Sequence, residues 1–135
     1  MTEILSGPPT IDEYLALRAE SGLMPKTAAQ AEGVIANSWA FRHARTAEGE
    51  AVAMGRVIGD GGWYFLIADM ATLPAHQGRG LGQSILESLL VEIRMRAPGE
   101  SYVTLIADPP GRKLYERLGF HDVAPDRTGM SMLLR

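Results

Sequence analysis

Gln77-Gly78-Arg79-Gly80-Leu81-Gly82 is the stretch of this chain whose residue types best suit a chemical task. An apolar, β-rich run ends before it at Pro74, and Leu81, Ile85, Leu89 and Ile93 recur every four residues after it. It therefore reads as a strand-to-helix loop. The first N–H groups of a helix lack internal partners and carry partial positive charge, and glycines let a ligand touch the backbone. Alternating glycines clear one face of the loop, while Gln77 and Arg79 can add donors. A phosphate or pyrophosphate is the guest this arrangement suits. Two familiar phosphate loops do not fit. Gln83 follows Gly82 where a P-loop needs Lys, and Gly78, Gly80 and Gly82 lack the dinucleotide-fold spacing.

The elements that must hold this loop follow from pattern. Thr10 with Glu13 and Thr27 with Gln30 are capping boxes, which start one helix carrying Tyr14, Leu15 and Leu17 and a second over 28–36. Trp39–Thr46 and Ala51–Ile58 read as strands joined by a hairpin, and Gly59–Gly62 as a tight turn. Trp63–Leu73 is the third strand, with Trp63, Phe65 and Ile67 on one side and Trp63 and Phe65 in the core. After the loop and its helix, Pro98-Gly99 marks a stop. Tyr102–Ala107 reads as a strand, Leu114 and Leu118 as a helical pair, and Met130–Leu134 as a closing strand. The order α-α-β-β-β-α-β-α-β implies an α/β (α+β) fold, a mixed and mostly antiparallel twisted sheet with helices on both faces.

Composition bounds the rest. A chain of 135 residues is expected to form one domain, 1–135. The absence of cysteine excludes disulfides, thiolate metal sites and cysteinyl intermediates, and no metal is called for. A net charge of −3 argues against a nucleic-acid partner. No signal peptide is visible and no apolar run approaches the roughly 20 residues that span a bilayer, so no membrane partner and a cytoplasmic location are the expectations.

The loop also resembles the signature of the GNAT family of N-acetyltransferases, Gln/Arg-x-x-Gly-x-Gly/Ala, matched here by Gln77, Gly80 and Gly82. Met70-Ala71-Thr72-Leu73-Pro74 resembles the strand that precedes it in that family, with Thr72 in place of the usual Val. Leu114-Tyr115-Glu116-Arg117-Leu118-Gly119-Phe120 resembles the family's Leu-Tyr-x-x-x-Gly-Phe segment. Asp108, where many members have Asn, together with Gly55–Gly61 and Gly129-Met130, is similar to the arylalkylamine (serotonin-type) branch. The resemblance spans about Ala51 to Phe120.

This resemblance implies transfer of acetyl from acetyl-CoA to a primary amine by direct attack in a ternary complex. The backbone of Gly78, Arg79, Gly80, Leu81, Gly82 and Gln83, with Gln77, would bind the pyrophosphate. The main chain at Met70, Ala71 and Thr72 would pair with pantetheine and the thioester carbonyl where the fourth and fifth family strands splay. Tyr115 matches the family's general acid, and a phenol with a pKa near 10 suits protonation of the departing sulfur. Asp108 is the first choice for base or water positioner, or else it caps the helix begun at Pro109-Pro110. Asp69, in an apolar strand, is the second acid candidate; a buried carboxylate is either satisfied structurally or working.

Other residues have weaker claims. Ser84 lacks an adjacent histidine to activate it. His43 shares strand spacing with Trp39 and Phe41, as an acceptor-pocket wall or a half-exposed strand residue. His76 adjoins the loop, facing CoA or solvent. Arg112, Lys113 and Arg117 suit either the 3′-phosphate of CoA or a solvated face. The leading acceptor is a small arylalkylamine or polyamine, the alternatives being a protein or peptide amine or acyl-CoA binding without turnover. The resemblance also allows a homodimer.

Overall fold

Both capping boxes form. Thr10 Oγ1 accepts from the Glu13 N–H at 3.2 Å and the Glu13 carboxylate accepts from the Thr10 N–H at 2.9 Å, starting α1 (Ile11–Glu20). Thr27 and Gln30 repeat the exchange at 3.1 and 2.9 Å and start α2 (Ala28–Asn37). The remaining elements are β1 (Thr2–Ser6), β2 (Ala40–Thr46), β3 (Ala51–Gly59), β4 (Tyr64–Thr72), α3 (Leu81–Arg96), β5 (Tyr102–Thr104) and α4 (Arg112–Arg117). The computed structural model describes every residue, Met1–Arg135, as two compact units, Met1–Leu105 and Ile106–Arg135.

The first unit holds a five-stranded open sheet in the order β1-β2-β3-β4-β5. β1 to β4 are antiparallel neighbours, and β5 runs parallel to β4 after the α3 crossover. Tyr14 and Leu17 of α1 and Ala31 of α2 pack with Phe41, Ala51, Met54 and Ala71 from the strands. Ile85, Leu89 and Ile93 of the expected stripe are buried on α3; Leu86 joins them, while Leu81 in the first turn is only half-buried. A buried Leu or Ile contributes roughly 1.5–3 kcal/mol, so this one stripe is enough to dock the helix that follows the loop.

Four expectations need correction. β1 pairs with β2 from Thr2↔Thr46 to Ser6↔Arg42, although Thr-Glu-Ile-Leu-Ser has no clean alternation to announce a strand. Met130–Leu134 is not a strand: Met130, Met132 and Leu134 are exposed and no neighbour completes a ladder. β5 stops at Thr104 rather than Ala107, because its pairing with β4 ends at Leu66↔Thr104. Phe65 and Ile67 are buried, but Trp63 precedes β4 and is 57% exposed.

Candidate functional site

The site is organised by the far end of β4. After Leu66, the edge of β4 that faced β5 has no partner strand, leaving the stretch Ile67–Thr72 open on that side. A bulge lies within it. Met54 pairs with Ala71 and Arg56 with Ala68, so Gly55 alone faces Asp69 and Met70. Asp69 takes φ +54°, the only non-glycine residue in the left-handed region. Met70 turns the other way: its Sδ sits where a side chain on Gly55 would start, beside Ile85 Cγ2 at 2.9 Å from that position. Ala71 is buried in the core, and Thr72 ends the strand half-exposed.

A single 3-10 turn, Pro74–His76, leads to the loop. Gly78 and Gly80 have φ +77° and +81°, which favour glycine, and the space beside each is empty. Gly80 caps α3 without a side-chain bond; its carbonyl accepts from the Ser84 N–H at 3.0 Å. The amides of Leu81, Gly82 and Gln83 are thus the orphan donors of a helix start, next to the exposed Arg79. Such a cradle can hold an anion by charge-assisted bonds. Gln77 Nε2 donates one of its two N–H groups to the Thr72 carbonyl at 3.0 Å. The Gln83 amide likewise donates to Glu87 at 2.9 Å.

Asp69 is fully engaged. Tyr14 donates its hydroxyl to Oδ2 at 2.6 Å, Arg56 Nε donates to Oδ2 at 2.7 Å, and Arg18 Nη1 pairs with Oδ1. Burial opposes its ionisation, but the bonds from Tyr14 and Arg56 and the charges of Arg56 and Arg18 hold the carboxyl below its ordinary range. The same burial, with the carboxylate beside it, pushes Tyr14 up to about 12. A carboxylate gripped this way is a poor proton acceptor at neutral pH, so Asp69 falls on the structural side.

His43 has a structural place too. His43 is buried, not half-exposed, with Nδ1 2.8 Å from the Gly7 carbonyl and Nε2 accepting from Arg45. Trp39 lies against Phe65 and under the Arg96 guanidinium, whereas Phe41 meets Tyr14 edge-on. His76 is 3.7 Å from Glu50 and its Nδ1 has no partner. Ser84 is exposed on α3. Sequence reasoning missed Gly55, Tyr14, Arg18 and Arg56 as supports of the bulge. An isolated glycine inside a strand pattern was the one available signal.

In the second unit, Tyr115 sits on α4, half-buried, with its ring edge-on to Phe120 at 6.1 Å. Burial first, and the nearby Asp108 carboxylate second, push its phenol above the ordinary value. Asp108 is exposed at the start of the Pro109–Gly111 turn; its carbonyl accepts from the Gly111 N–H, but its side chain makes no capping bond. Arg112 is occupied by Glu116 and Asp122, while Lys113 and Arg117 are exposed.

The fourth strand of an open mixed sheet thus runs into a glycine-rich helix start. Residues 37–122 match the family model described as an acetyltransferase (GNAT) domain, and the chain belongs to the GNAT family. Serotonin N-acetyltransferase 2, chloroplastic, of Oryza sativa subsp. japonica is 34% identical over 82 residues, 61% of this chain and 40% of the rice protein. The chain spans about two fifths of the length of the curated relatives it matches. A probable acetyltransferase of unknown function from meticillin-resistant Staphylococcus aureus is 37% identical, with TM-score 0.92 over 99% of this chain and 100% of that one. A Clostridium acetobutylicum predicted acetyltransferase crystallised with acetyl-CoA shares the fold at 18% identity, with TM-score 0.73 over 97% and 96% of the two chains. No helix is long and apolar enough to cross a membrane.

Proposed function

We propose that this chain acts as one acetyltransferase domain that moves acetyl from acetyl-CoA to the primary amine of a small molecule. One observation carries the reading. Gly78 and Gly80 stand at positive φ with empty space beside them, at the start of a helix whose first amides are free. A Cβ there would obstruct the approach of a ligand to the backbone, and an anionic diphosphate fits the donors present. The main chain of Gly78–Gln83 would hold the diphosphate, and the open edge at Met70–Thr72 would hydrogen-bond the pantetheine arm. Bound acetyl-CoA supplies an activated acyl thioester.

The chain's residues then manage protons. A C–N bond forms as the C–S bond breaks, so one proton must leave the amine and one must reach sulfur. Tyr115, assigned by its motif, donates the phenolic proton to sulfur; its raised pKa keeps that proton in place at neutral pH. Asp108, exposed and free of capping duty, accepts the amine proton directly or through water. The rice relative supports an arylalkylamine as acceptor.

Calorimetry with acetyl-CoA, followed by thiol release with an aromatic amine, a polyamine and a peptide, tests the reading. Saturable binding and fastest release with the aromatic amine are expected. Binding without thiol release from any amine would leave a carrier-binding module instead, and no binding would end the proposal.

A further inference from the structure

We infer that Asp69, with Tyr14, Arg18 and Arg56, is a positioning cluster that sets the main chain of Met70–Thr72 for the acyl group. Its consequence for turnover rests on the acetyl-transfer reading above; its geometry does not.

Asp69 bends a strand interior into the left-handed region, a conformation that persists only where surroundings over-determine it. The surroundings here are its own carboxylate's partners. That side chain is 6% exposed, and its donors come from α1 (Tyr14, Arg18) and from β3 (Arg56). Burying an ion among two guanidiniums is weak as a means of stability, since a well-packed apolar cluster often does as well. It is effective as a means of fixing direction, because each bond constrains where the carboxylate, and so the bulge, can sit.

The cluster also reaches outward. Arg18 donates to the Met24 carbonyl from Nε at 3.0 Å and from Nη2 at 2.7 Å, holding the α1–α2 connector. Arg56 Nη1 donates to Ser38 Oγ at 3.2 Å, and that hydroxyl donates to the Val34 carbonyl at 2.6 Å at the end of α2. One carboxylate thereby locks the connector and the end of α2 to the bulge from which the open edge of β4 continues. Met70 is pressed into the space over Gly55 on the opposite side, so the strand is gripped from both directions.

Asp69→Asn keeps the shape and removes the charge; Tyr14→Phe keeps the ring and removes one bond. Both are compared with Glu92→Gln, which loosens the Arg42 and Arg96 pairs of α3. Asp69→Asn should lower kcat by about tenfold or more, as a misplaced reacting group does, and Tyr14→Phe should lower it less. The acetyl-CoA dissociation constant should rise by less than kcat falls, because the loop amides at 81–83 are untouched and only the contacts of Met70–Thr72 shift. Amide NMR shifts of Ala71 and Thr72 should move in both variants and hold still in Glu92→Gln, which should lose melting temperature but keep kcat. Wild-type kcat with unmoved amides in Asp69→Asn, or in Tyr14→Phe should the first not fold, overturns the inference. Failure of the wild-type protein to bind acetyl-CoA overturns the proposed function instead, and the amide shifts still decide the positioning role.

Discussion

Gln77 Nε2 donates to the Thr72 carbonyl at 3.0 Å, so the residue that opens the glycine loop is turned back onto the strand the loop has just left. The bond closes the Pro74–His76 turn from outside and sets where the amides of α3 begin relative to the open edge of β4. It gives a physical reason for glutamine at this position, since a side-chain amide can reach a strand-end carbonyl that a shorter polar group cannot.

Gln77→Ala removes that tie without touching any amide of the cradle. Acetyl-CoA affinity should fall by about tenfold, the worth of one net hydrogen bond expressed through loop order. Titration calorimetry checks it. Unchanged affinity would mean the loop holds its course without the bond.

Gly80 separates two effects. Gly80→Ala has free space but must adopt φ +81°, which costs an L-residue about 1–2 kcal/mol. Its melting temperature should drop while binding weakens modestly. Gly80→Glu adds a carboxylate beside the proposed diphosphate and should abolish binding at low salt. Equal affinity in the two variants would contradict an anion at this helix start.

Gly55→Ala tests the bulge from the opposite strand. The added methyl would collide with Met70 Sδ of β4 and come within 2.9 Å of Ile85 Cγ2 of α3. Overpacking of this kind costs roughly 1–3 kcal/mol. A loss of stability in urea melts is expected, and a neutral result would show that Met70 repacks freely.

Much of this was legible in the sequence, and the limits are physical. The loop, both capping boxes and the buried stripe of α3 depend on neighbours within a few residues, which spacing reports directly. Asp69 could be recognised as a misfit in an apolar strand. Its resolution lay with Tyr14 and Arg18, more than fifty positions away, which no local pattern connects. β1 and the unpaired Met130–Leu134 show the same limit from both sides, since a strand is defined by its neighbour. His43 looked half-exposed because alternation cannot foresee that the Gly7 carbonyl lies over it.

Tyr115→Phe should reduce kcat by about 10²-fold and leave acetyl-CoA affinity nearly intact, if the phenol is the acid that meets sulfur. Its pKa is raised, by burial and then by Asp108, so the protonated form persists above the ordinary range. The wild-type rate should show no fall attributable to this group near neutral pH. A kcat profile that declines near neutrality and is unchanged in Tyr115→Phe would assign that step to another residue.

Acid stability offers a check independent of function. The Arg45 hydrogen bond, opposed by partial burial and helped by the Thr10 cap, lowers the Glu13 pKa from 4.5 to about 2. A depressed carboxyl stabilises the fold above its unfolded value, and that stabilisation disappears as pH falls through the folded one. The pair is partly solvated, so screening leaves about 1 kcal/mol at pH 7. Glu13→Gln preserves an oxygen for the Thr10 N–H and removes only the charge. The wild type should therefore exceed this variant in urea stability at pH 7, with the gap closing between pH 4.5 and about 2. A gap that stays constant over that interval would assign the difference to the cap rather than to the Arg45 pair.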